Sequence, residues 1–256
     1  KKVLSFLSKA DWNECPLTLA YTVHKIIRDV SGSKDPYAEI KKESNDAALS
    51  FLHEFEPIVK SSKDQVETAL KLAVAGNVLD FGALESPNLR NMVEKALTQE
   101  FAVNDYPILR EKALKADTMI YFFDNAGEIV FDKLFLESLI QKRGKPYEKL
   151  TLVVKGGPLI NDVTIEDAIY VGLNELPNAE LKTVTNGEEG TGPRPDSPEV
   201  KEWIRKHEVV IAKGQGNFEI FEEEERNIFF ALTVKCWPIA RALGVKPGDM
   251  VVKYLP

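Results

Sequence analysis

Residues 119–128 read MIYFFDNAGE, five consecutive apolar residues followed at once by an acid, an amide and a small turn. A short, continuously apolar run is typical of a strand covered on both faces of a sheet. The polar residues after it indicate a turn, and a helical pattern follows from Gly127 onwards. The stretch therefore predicts a strand, a polar turn and a helix, which is the start of a βαβ unit.

Similar short apolar runs recur along the rest of the chain and alternate with longer helical patterns. They are residues 150–154, 181–184, 209–212, 228–234 and 250–254. Before about residue 116 the apolar residues instead recur at helical spacing, over residues 17–27, 47–59 and 66–73. We predict an α/β protein: a three-layer α/β/α fold with a mainly parallel sheet, plus an N-terminal all-helical portion. The predicted boundary separates a helical domain, 1–112, from an α/β domain, 113–256.

The composition limits the classes of partner. The chain has 256 residues, of which 44% are hydrophobic and 29% charged, with a formal net charge of -7. An acidic surface disfavours nucleic acid or an anionic membrane as the main partner. No apolar run is long enough to span a bilayer and no signal peptide is visible, so a cytoplasmic location is expected. Cys15 and Cys236 lie far apart and are interpreted as reduced thiols. The oligomeric state is not indicated.

Polar residues and glycines follow five successive predicted strands. The carboxyl ends of parallel strands meet at one edge of a sheet, and ligands bind in the crevice beyond it. The five segments are Asp124 to Glu128, Lys155 to Pro158 with Asn161-Asp162, Asn186-Gly187, Lys213 to Asn217, and Lys235-Cys236. Together they predict a binding site.

The residue types in this predicted crevice favour phosphoryl chemistry. Asp124, Asn125 and Asp162 are oxygen donors, which suit a hard cation such as Mg²⁺ or Mn²⁺. Lys213 and Lys235 would supply positive charge for an anionic substrate. Backbone N–H groups can approach a phosphate where glycines leave room, as at Gly156-Gly157 and at Gly214 and Gly216.

A simpler interpretation exists for the proposed ligands. Asp124-Asn125 could form a turn and cap the helix that begins at Gly127. Asn161-Asp162 could likewise cap the helix that follows Val163-Thr164. The pattern alone leaves capping and metal binding open. His24, His53 and His207 have no carboxylate or serine at suggestive spacing, and we interpret all three as structural.

At this point the motifs, taken in order, resemble the damage-control phosphatase family, formerly a domain of unknown function, and its archaeal and bacterial branch in particular. Eukaryotic relatives include acidic-residue methyltransferase-like proteins and the phosphatase domain fused to a pantothenate pseudo-kinase. The resemblance covers most of the chain. Its motifs are Asp35-Pro36-Tyr37 with Lys41 and Asn45, Ala75-Gly76-Asn77 with Asp80, Asp124 to Glu128, Lys155 to Pro158 with Asn161-Asp162, Lys213-Gly214 with Asn217, and Lys235-Cys236.

The resemblance implies a divalent metal, Mg, Mn, Co or Ni, at Asp124, Asn125 and Asp162, and hydrolysis of small phosphometabolites such as sugar phosphates. It further implies that Asn77 and Asp80 reach into the crevice. Asp124, Lys213 and Lys235 are assigned to catalysis, and substrate binding is assigned to Asn77, Asp80, Glu128, Lys155, Gly156, Gly157, Gly214 and Asn217. The Cys-x-x-Cys that prokaryotic members often carry near the N-terminus does not occur here, so no role is transferred to that region.

The expected mechanism is attack by a metal-activated water. Phosphatases that form an aspartyl-phosphate in the haloacid dehalogenase manner have Asp-x-Asp after the first strand, whereas Ala126 stands two residues after Asp124. One alternative is a carboxyl methyltransferase using S-adenosylmethionine. It would place a glycine-rich loop after the first strand and an acid after the second, a poor match to this chain. The other alternative is a non-catalytic metabolite-binding protein.

Overall fold

A computed structural model describes residues 1–12, 16–76, 94–185, 190–223 and 227–256. Its strands are β1 Val103–Asn104, β2 Thr118–Phe122, β3 Lys149–Lys155, β4 Ala179–Val184, β5 Val209–Lys213, β6 Ile228–Thr233 and β7 Met250–Leu255. They form one sheet in the order β1-β7-β6-β5-β2-β3-β4. The pair β6–β7 is antiparallel, and the other neighbouring strands are parallel. The predicted α/β fold with a mainly parallel sheet is confirmed.

The α-helices that connect and cover these strands are α1 Lys2–Leu7, α2 Pro16–Ser31, α3 Ala38–Ser61, α4 Gln65–Ala75, α5 Tyr106–Lys115, α6 Glu128–Arg143, α7 Ile165–Tyr170, α8 Pro198–Arg205, α9 Gly214–Phe221 and α10 Trp237–Leu243. Residues 94–98 are also helical, and Leu173–Glu175 form a turn of 3-10 helix. The helical spacing over residues 17–27, 47–59 and 66–73 corresponds to α2, α3 and α4. None of the helices in the described ranges has the length and apolar character needed to cross a membrane.

Strand β1 was not predicted, and it lies within the portion expected to be helical. It has only two residues, too few for any periodicity, and pairs with Val251 and Val252 of β7. Helix α5 also extends across position 112. The division into 1–112 and 113–256 stays a prediction, although some residues before 113 already belong to the sheet.

The alternation of β2 explains why its sequence is continuously apolar. Tyr121 and Phe123 belong to a core cluster shared with α3, α4 and α6 on one face of the sheet. Ile120 and Phe122 belong to a second cluster shared with α8, α9 and α10 on the other face. Because helices cover both faces, every residue of the strand from Met119 to Phe122 is buried, and Thr118 at its start is partly exposed. This is the three-layer arrangement that the sequence predicts.

His207 lies against the sheet and is buried, as expected for a structural histidine. Its Nε2 is 2.9 Å from Thr151 Oγ1 and its Nδ1 is 2.6 Å from the Trp203 carbonyl oxygen. Burial is the main cause that lowers the pKa of His207 below its usual value of 6.5. The folded protein therefore takes up this proton at a lower pH than the unfolded chain.

We expect this difference to reduce stability as the pH falls below about 6.5, because the unfolded chain then binds more protons. The loss of unfolding free energy between about pH 7.5 and about pH 5.5 should be smaller in His207→Gln than in the wild type. Urea denaturation at both values measures it. His53→Gln is the control, since the side chain of His53 is 76% exposed. Equal losses in the wild type and both variants would contradict the prediction.

Candidate active site

The strand order reverses direction between β2 and β5. From β2 the chain continues to β3 and β4 on one side, and it then returns to place β5 and β6 on the other side. In open α/β sheets this reversal opens a crevice beyond the carboxyl ends of the two central strands. The segments that leave those ends begin with Phe123-Asp124 after β2 and with Gly214 after β5.

Gly214 brings the backbone of β5 against the carboxylate of Asp124. Its φ is +77°, and a Cβ at this position would lie only 1.9 Å from Asp124 Oδ2. A side chain there would meet both backbone strain and a direct clash. The glycine therefore allows helix α9 to begin beside the Asp124 carboxylate.

Replacing Gly214 with alanine should displace Asp124. We expect a backbone cost of about 1–2 kcal/mol in unfolding free energy. A shift of about 1 Å at a catalytic group can reduce kcat by about 10²-fold. Gly216→Ala is the matched control two residues along the same helix, because a Cβ there would have no neighbouring heavy atom within 4 Å. If both variants retain wild-type hydrolysis and stability, the close approach has no functional consequence.

The loop after β3 folds back and pairs with the turn after β2. Asn125 and Asp162 form an antiparallel bridge. On either side of it, Val163 N donates to Asp124 O at 3.0 Å and Ala126 N donates to Asn161 O at 2.8 Å. This backbone pairing places the three predicted metal ligands on adjacent segments, although 37 positions separate Asn125 from Asp162 in the chain.

These residues do not occupy the N-cap positions of the helices that follow them. Helix α6 has Gly127 as its N-cap, without a side-chain hydrogen bond to the cap. Helix α7 has Thr164 as its N-cap. The Thr164 backbone N–H donates to Asp167 Oδ2 at 2.9 Å. Gly127 and Thr164, and not the residues proposed as caps, therefore stand at the N-cap positions of these two helices.

The donor chemistry of the three residues fits a hard divalent cation. Asn125 Nδ2 donates to Asp124 Oδ2 at 2.7 Å and lies 3.4 Å from Glu128 Oε2. Asn125 is buried, while Asp124 and Asp162 are partly exposed. Two carboxylates and one amide oxygen are ligands that Mg²⁺ or Mn²⁺ accepts, and they leave positions for water or substrate.

A buried charge cluster lies beneath this turn. Lys213 is fully buried, and its Nζ contacts Glu128 Oε1 at 2.5 Å, Asp132 Oδ1 at 2.7 Å and the Ala73 carbonyl oxygen at 3.0 Å. Tyr121 donates its hydroxyl to Asp132 Oδ1 at 2.7 Å. Burial raises the pKa of Glu128 above its usual value, and the adjacent Lys213 ammonium opposes that rise.

These contacts change the expected role of Lys213. We predicted that its ammonium would offset charge on the phosphoryl group, but the ammonium is held by two carboxylates and is inaccessible to solvent. Asp132, which we did not predict, lies four residues after Glu128 in α6. That spacing puts both carboxylates on one face of the helix. Glu128 likewise serves this cluster, and it contacts Asn125 at the edge of the crevice.

Asn217 ties the central strand ends together. Its Nδ2 donates to the Phe123 carbonyl oxygen at 3.0 Å and to the Lys213 carbonyl oxygen at 2.7 Å. Its Oδ1 accepts from Lys155 Nζ at 3.1 Å. Asn217 and Lys155 are both buried. The structure therefore gives them a role in holding β2, β3 and β5 in place, and substrate contact stays a prediction for both.

The remaining predicted residues lie in different surroundings. Gly156 N donates to the Val184 carbonyl oxygen at 2.8 Å. A Cβ at Gly156 would lie 1.7 Å from Thr191 O, so the absence of a side chain leaves room for the loop that contains Thr191. Gly157 is partly exposed beside it. Lys235 is exposed just beyond β6, and its backbone N–H donates to Gln215 Oε1 at 2.5 Å. Asn77 and Asp80, and the predicted segment Asn186-Gly187, lie outside the described residues.

Comparison with known proteins identifies relatives over nearly the whole length. The chain is 33% identical over 244 residues to a damage-control phosphatase of Archaeoglobus fulgidus, which covers 93% of this chain and 82% of that protein. It is 36% identical over 224 residues to a damage-control phosphatase of Pyrococcus horikoshii, covering 86% and 75%. An uncharacterized protein of Methanocaldococcus jannaschii is 32% identical over 252 residues.

A solved structure shows the same fold. The crystal structure of a DUF89 family protein from Pyrococcus horikoshii superimposes with a TM-score of 0.82 at 32% identity, covering 100% of this chain and 87% of that one. The family model described as the damage-control phosphatase ARMT1-like domain matches residues 1–251. The chain thus belongs to the damage-control phosphatase ARMT1-like domain family.

Proposed function

We propose that the protein is a metal-dependent phosphatase that hydrolyses phosphate esters of small metabolites, with sugar phosphates as the expected class. The backbone pairing of the Asp124 turn with the Asp162 loop carries the proposal, because it gathers oxygen donors at the switch point of the sheet. The names of the relatives support phosphatase activity. A cytoplasmic location and a small-molecule partner are part of the proposal.

Asp124, Asn125 and Asp162 would hold the divalent cation. Their oxygen donors accept Mg²⁺, Mn²⁺, Co²⁺ or Ni²⁺ and do not select among them. A bound cation would neutralise charge on the phosphoryl oxygens and lower the pKa of a bound water. Asn125 would also orient Asp124 through its 2.7 Å hydrogen bond.

Other residues at the same edge would bind the phosphate itself. Lys235 is exposed beyond β6, so its ammonium can reach an anion in solution. The N-terminus of α9 begins at Gly214 beside Asp124, and the first N–H groups of a helix favour negative charge. Lys213 would act indirectly, by fixing Glu128 and Asp132 beneath the turn.

The proposed nucleophile is water. Ala126, two residues after Asp124, is buried and apolar, so it offers no acid to protonate a leaving group. Asp124 instead accepts a hydrogen bond from the amide of Asn125 and would also hold the cation. A phosphoenzyme trapped on Asp124 would contradict this part of the proposal.

The test is a screen for release of inorganic phosphate from sugar phosphates and nucleotides. Metal-free protein is assayed alone and with Mg²⁺, Mn²⁺, Co²⁺ or Ni²⁺, and S-adenosylmethionine binding is measured in parallel. We expect metal-dependent turnover that chelation abolishes. Absence of turnover on every ester, together with tight adenosylmethionine binding, would favour the methyltransferase instead.

A further inference from the structure

Asn45 joins the helical portion to the turn that carries two of the proposed ligands. It lies in α3 and is 1% exposed. Its Oδ1 accepts a hydrogen bond from Gly127 N at 2.7 Å. Its Nδ2 donates to Asp167 Oδ1 at 3.0 Å. One side chain therefore connects the Asp124–Gly127 turn to the first turn of α7.

Asp167 links this contact to the segment that follows Asp162. Its Oδ2 accepts from Thr164 N at 2.9 Å, and Thr164 stands two residues after Asp162. The same oxygen accepts from Lys41 Nζ at 2.9 Å. Lys41 also pairs with Asp35 Oδ2 at 3.0 Å. Lys41, Asn45, Thr164 and Asp167 are buried, and their polar groups satisfy one another.

The Gly127 N–H is a point where the turn needs an outside partner. The preceding groups are held by the Asp162 loop, through Val163 N to Asp124 O and Ala126 N to Asn161 O. Gly127 has φ +79°, and its N–H donates to Asn45 in α3 rather than to the Asp162 loop. Leaving a buried N–H without an acceptor is unfavourable, so loss of Asn45 would allow the turn to move.

We propose that Asn45 is a positioning residue for the metal-binding turn, and that its amide fixes the Asp124 turn relative to the Asp162 loop through Gly127 and Asp167. The proposal rests on the proposed function, since it concerns the same site. An amide is needed because one end must accept from Gly127 N while the other donates to a carboxylate. Neither aspartate nor leucine can do both.

A charge exchange tests this requirement. Asn45→Asp alone sets two carboxylates against each other, and their repulsion should push residue 45 away from Gly127 N. Asp167→Asn alone must turn an NH2 group either toward Asn45 Nδ2 or toward Thr164 N and Lys41. The double variant Asn45→Asp/Asp167→Asn keeps an acceptor for Gly127 N and provides both a donor to residue 45 and an acceptor for Thr164 N. We expect each single variant to weaken Mn²⁺ binding by about 10–100-fold, as loss of supporting contacts around metal ligands does. The double variant should recover to within about threefold of the wild type.

Two readouts separate positioning from loss of stability. Calorimetric titration of metal-free protein gives the Mn²⁺ affinity, and hydrogen exchange in the absence of metal reports whether the Gly127 N–H is protected. Phe55→Leu is the control: Phe55 is buried in the same helix and packs on Phe131, with ring centroids 5.8 Å apart. It should reduce stability with little effect on Mn²⁺ affinity or on Gly127 exchange.

The outcomes are distinct. Faster Gly127 exchange and weaker Mn²⁺ binding in Asn45→Asp, both reversed in the double variant, support the proposal. Unchanged affinity in Asn45→Asp, equal weakening in Phe55→Leu, or no recovery in the double variant would each overturn it. If the wild type binds no Mn²⁺, the proposed function fails as well, whereas wild-type binding with an unaffected Asn45→Asp refutes only the role of Asn45.

Discussion

Replacing Asp124 with alanine is expected to lower kcat/KM for phosphate-ester hydrolysis by about 10³-fold, equivalent to roughly 4 kcal/mol of transition-state stabilisation. Asp124 would supply a charged ligand to the cation, and its Oδ2 also orients the Asn125 amide. Removal of this carboxylate would therefore disturb two of the three proposed ligands. Steady-state phosphate release at saturating Mn²⁺ measures the effect.

The control for this variant is Asp46→Ala. Asp46 is an exposed carboxylate in α3 that pairs with Lys42 on the protein surface. We expect its loss to leave hydrolysis within about twofold of the wild type, since exposed ion pairs contribute little. Retention of wild-type kcat/KM in Asp124→Ala, with the fold intact by circular dichroism, would remove Asp124 from the mechanism.

Replacing Lys213 with methionine is expected to lower the free energy of unfolding by about 3–5 kcal/mol, because removing one member of a buried ion pair leaves its partners uncompensated. Lys213 is fully buried and bonds to both Glu128 and Asp132, which have no access to solvent. Because methionine fills much of the same volume, a loss of unfolding free energy would reflect the missing charge rather than poorer packing. Urea denaturation near neutral pH measures it.

Two further variants make the Lys213 result specific. Lys115→Met removes an exposed lysine paired with Glu111 and should cost less than about 1 kcal/mol. Lys213→Met/Asp132→Asn removes part of the uncompensated charge and should recover some of the lost stability. If Lys213→Met is as stable as the wild type but loses phosphate binding, the ammonium acts on substrate after all.

The fold could be predicted because its central strands are buried on both faces. Residues 119–123 and 209–212 are continuously apolar because helices cover both faces of the sheet. Such runs are easily recognised as strands in the sequence. Strand β1 could not be predicted, because two residues carry no period and β7 alone determines their pairing. Only the general position of the site, at the strand ends, follows from the same pattern.

The detail of the site depends on contacts between distant parts of the chain. The sequence places Lys213 at a strand end, where a lysine would normally reach solvent, but two carboxylates of α6 hold it inside. Asn45 stands 82 positions before Gly127, and no local pattern connects them. Capping and metal binding could not be separated from sequence, because Gly127 and Thr164 become the caps only in the folded turns.

The most direct test of the cation site is a titration of metal-free protein with Mn²⁺, following the free ion by electron paramagnetic resonance, in the wild type, Asp124→Ala and Asp162→Ala. We predict a single ion bound per wild-type chain and a loss of affinity of at least about 10²-fold in each variant, because each removes a charged ligand. Wild-type affinity in both variants, or no binding by the wild type, would contradict a cation site at Asp124, Asn125 and Asp162.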